Sequence, residues 1–179
     1  MSRTNPYKKK RRAASQTLLM YGEGLSEEMF LKHLKRLYAY NSNVAVTICK
    51  GKGGDVISVV IDAANAPGAF DRKIVVLDND KEKAEMMQAR QEAKKRSIIL
   101  FENTPCLEAT LLLVLNDSGM FKNKTSSWYK KEFESKYIDK KKRAESSAYE
   151  KIFSKTLLDD RRLKISELNQ LILFMEGKP

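Results

Sequence analysis

A chain of 179 residues with a formal net charge of +11 at pH 7 has room for one well-buried core and the charge balance of a protein that meets polyanions. One histidine and two cysteines exclude His-rich zinc sites, HNH-type metal sites and most histidine relays. Cys49 and Cys106 form no Cys-x-x-Cys pair and no signal-peptide pattern is present, so a reducing cytoplasm is expected; the apolar run from Leu107 to Leu115 is too short to span a bilayer.

Six of the eleven net charges lie in residues 1–12, as Arg3, Lys8, Lys9, Lys10, Arg11 and Arg12, with no acid among them. This arm, bounded at residue 15, is too polar to pack and reads as disordered, either a solvated tail or a grip on phosphate. Thr17 to Tyr21 then reads as a buried strand, and Ser26 as the N-cap of a helix with Glu27 and Glu28 in its first turn. Phe30, Leu34 and Leu37 mark the inner face of that helix, with His33 partly buried on it. Val44 to Cys49 is a second strand, Gly51-Lys52-Gly53-Gly54 a turn, and Val56 to Ala64 an apolar helix broken at Asn65-Ala66-Pro67-Gly68.

A third strand, Lys73 to Leu77, precedes a charged helix over Lys81 to Lys95 and a fourth strand over Ser97 to Phe101. Pro105 opens the helix from Leu107 to Leu115, near the start, where its missing N–H does least harm. Four strands alternating with helices predict an α/β domain over residues 16–118, with a mostly parallel sheet and helices on both faces. Residues 119–179 read as a helical extension, within which 120–164 are rich in Lys, Glu, Tyr and Ser. The pattern predicts amphipathic helices near Ser127 to Tyr137, Ser147 to Leu158 and Ile165 to Met175, packed on the same domain as a C-terminal extension.

The chemistry gathers at strand ends. The first strand runs into Gly22-Glu23-Gly24 and the third into Asp78-Asn79-Asp80; in an open α/β sheet, ligands bind beyond the carboxyl ends of the strands. Asp78 and Asp80 are at most about 7 Å apart along the chain, so both can reach one metal or two adjacent ones. Three hard oxygen donors, Glu23, Asp78 and Asp80, suit Mg²⁺ or Mn²⁺, with Glu23 either a ligand or the general base. Glu27 and Glu108 each stand in a first helical turn at this edge, where dipole stabilisation and site chemistry are both open. Lys52 sits in a glycine turn on the same edge without the full P-loop pattern, so a flexible turn is preferred to a phosphate cradle. Lys130, Lys131, Lys140 and Lys141 are interleaved with Trp128, Tyr129, Phe133 and Tyr137; the aromatics read as helix packing and the lysines as a phosphate track.

The acid after the first strand and the D-x-D after the third resemble the Toprim fold of topoisomerases, primases and OLD-family nucleases. More narrowly, Asn103-Thr104-Pro105-Cys106-Leu107-Glu108-Ala109-Thr110-Leu111-Leu112-Leu113 is similar to the N-P-C-F-E-x-W-L-L-L-H motif of the RloB-like family of small Toprim-related proteins. The resemblance spans residues 16 to 175. In this chain Thr104 is additional, Leu107 and Thr110 replace aromatics, and Val114 stands where the family has histidine. The resemblance implies Mg²⁺-dependent phosphodiester chemistry with Glu23, Asp78 and Asp80 on the metal and Glu27 and Glu108 as additional acids. It also implies a setting in bacterial anti-phage defence, often beside an ATPase. The expected function is a Toprim-type nuclease acting on DNA or RNA; the alternative is a binding subunit of the same fold that has lost catalysis. A receiver-like phosphorylation domain is disfavoured by the missing acid pair after strand one.

Overall fold

The computed structural model describes residues 14–40, 42–115 and 123–178. The basic arm of residues 1–12, the 116–119 break and the domain boundary expected at 118 lie outside the described residues.

Four strands form one sheet: β1 (Gln16–Gly22), β2 (Val44–Lys50), β3 (Arg72–Asp78) and β4 (Ile99–Asn103), in the order β2-β1-β3-β4 and parallel throughout. Helices α1 (Leu25–Leu34), α2 (Val56–Asn65), α3 (Lys83–Lys95) and α4 (Leu107–Leu115) connect and follow them, and α1 continues as a π-helical turn over Lys35–Ala39. The C-terminal part supplies α5 (Ser126–Lys136), a short 3₁₀ turn (Lys140–Lys142), α6 (Ser146–Ile152), α7 (Lys155–Arg162) and α8 (Ser166–Glu176).

Strand periodicity divides the interior into two cores. Leu18, Met20, Ile74 and Val76 face one side with α1, α4 and the C-terminal helices, while Leu19, Tyr21, Val75 and Leu77 face the other with α2 and α3. The chain moves from β1 outward to β2, then crosses back over β1 to β3 and on to β4. Right-handed crossovers require α1 on one face and α2 and α3 on the other, as seen. The connections diverge between β1 and β3, so the sheet opens a crevice where Glu23 and Asp78 leave their strands.

Several boundaries differ from those expected. The helix predicted over Ser147 to Leu158 is two helices, because the buried Phe153 breaks it and Ser154 caps α7 through a 3.2 Å bond from the Leu157 amide. The Phe153 carbonyl is held by His33 Nε2 at 2.7 Å. His33 is buried rather than partly so. A carbonyl can only accept, so Nε2 carries the proton, Nδ1 accepts from Arg36 at 3.4 Å, and burial keeps the ring's pKa low. Strand β4 begins at Ile99 instead of Ser97, since Ser97 takes a left-handed φ of 55° to end α3. The shift carries β4 on to Asn103, level with Asp78. Gly24, and not Ser26, caps α1.

Among the aromatics, Phe133 stacks on Phe153 at 6.3 Å and Phe153 meets Phe30 edge-on at 5.5 Å, tying α5 and the α6–α7 junction to α1. Phe133 is core and Trp128 is packed against it, as the packing reading of this segment expects. No helix of the described residues is long and apolar enough to cross a membrane.

Candidate functional site

At the carboxyl edge of β1 and β3 the main chain places the acids. Glu23 stays in register beyond β1, its amide bonded to the Val76 carbonyl at 3.0 Å, and its Oε2 accepts the Asp78 amide at 3.1 Å. Asp78, 4 % exposed, accepts the Leu107 amide on Oδ1 at 2.9 Å, the first helical residue of α4. Glu27 turns back across the first turn of α1, and its Oε2 accepts the Gly24 amide at 3.0 Å, half of a capping box. Each of these carboxylates is thus fixed by one oxygen on a backbone donor, which leaves the other oxygen off the backbone.

Two glycines make this close approach possible. A Cβ on Gly22 would lie 2.8 Å from the Glu27 Cβ and 3.1 Å from the Glu28 amide nitrogen, and one on Gly51 would lie 2.9 Å from the Glu23 carbonyl oxygen. Gly51 also donates to the Gly22 carbonyl at 2.8 Å, which draws the 51–54 turn against the end of β1. Lys52 in that turn is exposed at the same sheet edge.

Glu108 completes the cluster from the first turn of α4. It is 6 % exposed, its Oε2 has no hydrogen-bond partner among the described residues, and Ser26 bonds its carboxylate. The same Ser26 bonds the Tyr149 hydroxyl, so a chain of polar groups runs from the acids into the aromatic core. Asp78, Cys106 and Glu108 offer ligand atoms within 4.8 Å of one another. Asn103, fully buried beside Asp78 in the β3–β4 register, leaves its Oδ1 unpartnered.

Burial, joined by the crowding of like charges, raises the pKa of Glu23, Glu27 and Glu108. Burial, then the charges of Asp78 and Glu108, push Glu27 up to about 8. Burial and Asp78 raise Glu108, and burial raises Glu23 against the pull of the Asp78 amide. Burial pushes the Cys106 thiol up to about 12, so it is protonated.

Two lysines answer this charge. Lys130 of α5 lies 2.8 Å from Asp78 Oδ2 and 3.7 Å from Asp80 Oδ2. Lys81 lies 4.0 Å from Glu23 Oε1 and 3.9 Å from Asp80 Oδ1. The structure therefore brings together Glu23, Glu27, Asp78, Asp80 and Glu108, and adds Lys130 as their counter-ion where the sequence assigned it to a phosphate track. Lys131 and Lys141 are exposed elsewhere: Lys131 lines a shallow hollow with Glu134, Tyr137 and Asp139, and the Lys141 amide caps onto Asp139 at 2.9 Å. The side chain of Lys140 lies outside the described residues. Val114 belongs to the larger core. Six residues beyond Glu108 on a helix is about 240° round the axis, so that position does not share Glu108's face.

Ser26, Lys81, Asn103 and Tyr149 are the members that residue patterns missed. Lys81 directly follows the D-x-D, which is the one local signal among them; Ser26 and Tyr149 meet only through tertiary packing.

The donors fit a hard divalent cation. Glu23, Asp78, Asp80 and Glu108 offer carboxylate oxygens, the Glu108 Oε2 is buried without a partner among the described residues, and Cys106 Sγ stands within 4.8 Å of the ligand atoms of Asp78 and Glu108. Comparison of the chain with protein-family models, with curated proteins and with solved structures gives no match.

Proposed function

We propose that this protein is a Toprim-type, Mg²⁺- or Mn²⁺-dependent phosphodiester hydrolase acting on DNA or RNA, as its resemblance to the RloB-like family implies. The observation that carries the proposal is the convergence of Glu23, Asp78, Asp80 and Glu108 from β1, β3 and α4 on one crevice, with Glu108 Oε2 unpartnered. Glu23, Asp78 and Asp80 would hold the metal, with Glu108 beside them. A bound divalent ion would polarise the scissile phosphate and stabilise charge on the attacking and leaving oxygens. The chain's own contribution is positional. Backbone amides fix Glu23 and Asp78, Glu27 with its pKa near 8 holds or releases a proton at neutral pH, and Lys81 and the exposed Lys52 flank the entrance with positive charge. The overall basic balance supports a polyanionic substrate. An ATPase partner and a defence setting belong to this same reading.

The test is cleavage of a panel of single- and double-stranded DNA and RNA with Mg²⁺ or Mn²⁺. Cleavage should require the metal and vanish in Asp78→Ala and Asp80→Ala; activity that survives both substitutions would overturn the assignment. One observation favours a second reading, that of a binding subunit without catalysis: Lys130 already neutralises Asp78. That protein would bind nucleic acid with an affinity that falls with salt and ignores EDTA.

A further inference from the structure

Asp78 and Glu23 divide their two oxygens between the backbone and the crevice. Asp78 Oδ1 is committed to the Leu107 amide, so Oδ2 is the oxygen left for a ligand, and it is the one Lys130 holds at 2.8 Å. Glu23 Oε2 is committed to the Asp78 amide, which leaves Oε1, the atom nearest Lys81. Asp80 offers Oδ2 toward Lys130 and Oδ1 toward Lys81. The two ammonium groups thus cover the oxygens that a divalent ion would need. They do so unequally: Lys130 is within hydrogen-bond distance, whereas Lys81 is at 3.9–4.0 Å.

Lys130 is suited to be displaced. Its side chain is 42 % exposed although the Asp78 side chain it reaches is only 6 % exposed, so the stem lies along the mouth of the crevice and only the head enters. A lysine stem has four rotatable carbons and can swing into water without moving its helix. The neighbouring Tyr129 and Phe133 are buried and anchor α5 in the core, so the helix itself stays in place when the head leaves.

We propose that Lys130 is a tethered counter-ion that occupies the metal-facing oxygen of Asp78 in the metal-free protein and must leave it for a divalent cation to bind. This regulates the site and rests on the metal reading above. The metal-free fold is stabilised by the ammonium, the metal-bound fold by the ion, and the two exclude each other at Oδ2. Metal affinity is set by that competition.

The experiment is a Mn²⁺ titration of the full chain followed by electron paramagnetic resonance, on the native protein and on Lys130→Met, Lys130→Arg and Lys131→Met, with thermal melts in EDTA and in Mn²⁺. Lys130→Met should tighten Mn²⁺ binding at least about tenfold, equivalent to about 1.4 kcal/mol. Lys130→Arg and Lys131→Met should stay close to native. Lys130→Met should melt below the native protein in EDTA and at or above it in Mn²⁺, a crossing that loss of a merely structural ion pair would not give. Equal or weaker Mn²⁺ binding by Lys130→Met, or a variant that fails to fold even with Mn²⁺ present, would overturn the proposal alone. No Mn²⁺ binding by any of the proteins would overturn the metal reading itself.

Discussion

Glu27 caps Gly24 with one oxygen while burial and the charges of Asp78 and Glu108 oppose its ionisation. The unfolded chain releases this proton near pH 4.5 and the folded one near 8, so between those values the folded state binds the extra proton. The sign follows: stability from this group is complete below 4.5 and is lost as pH rises through 8, with a slope of at most about 1.4 kcal/mol per pH unit in metal-free buffer. Glu27→Gln keeps the capping oxygen and removes the charge. Urea denaturation in EDTA at pH 8 should find it more stable than the native protein by about 1–3 kcal/mol, with the difference shrinking toward pH 5. The sequence placed Glu27 in the first turn and left dipole stabilisation and site chemistry both open. That Ser26 serves Glu108 and Tyr149 instead of capping α1 was not readable, because a serine before two glutamates satisfies the local capping pattern equally well.

At the scale of elements, the end of β1 packs against the start of α1 with no space for a side chain on Gly22. Gly22→Ala would force Glu27 and the Glu28 amide outward and carry Glu23 off the Asp78 amide. It should cost about 1–3 kcal/mol in chemical denaturation, in the range for overpacking a tight contact, and should weaken Mn²⁺ binding in the same samples. Strand and helix alternation was legible because parallel strands buried on both faces read as unbroken apolar runs, as in Leu18 to Tyr21 and Ile74 to Leu77. The split of α6 from α7 was not. Phe153 fits a helical spacing of apolar residues, and the His33 bond that holds its carbonyl at the break, beside the Ser154 cap, comes from 120 residues away in sequence.

For the molecule as a whole, the C-terminal helices share one core with β1, β2, β3, α1 and α4, so the region read as an extension is structurally part of the α/β body. Trp128, the single tryptophan, sits on α5 against that core and reports on this region, while far-ultraviolet circular dichroism reports on all helices. The two signals should trace one coincident urea transition; a separate, earlier loss of tryptophan signal would show that the C-terminal helices melt on their own. The charge of the whole chain spoke for a polyanion, but it could not tell which lysines stay free. Lys130 and Lys131 are neighbours in sequence, yet one enters the crevice and the other faces solvent, a distinction that the turn of α5 makes and composition does not.

The amides of Leu107, Asp78 and Gly24 have a consequence for how the crevice can be studied. They grip one oxygen of Asp78, Glu23 and Glu27, and a carboxamide offers the same oxygen in the same place. Exchanging acid for amide at these positions therefore yields a cast of the crevice with its outline kept and its charge erased. In Asp78→Asn such a cast also leaves the Lys130 ammonium with Asp80 alone, at 3.7 Å, where an added anion can compete for it.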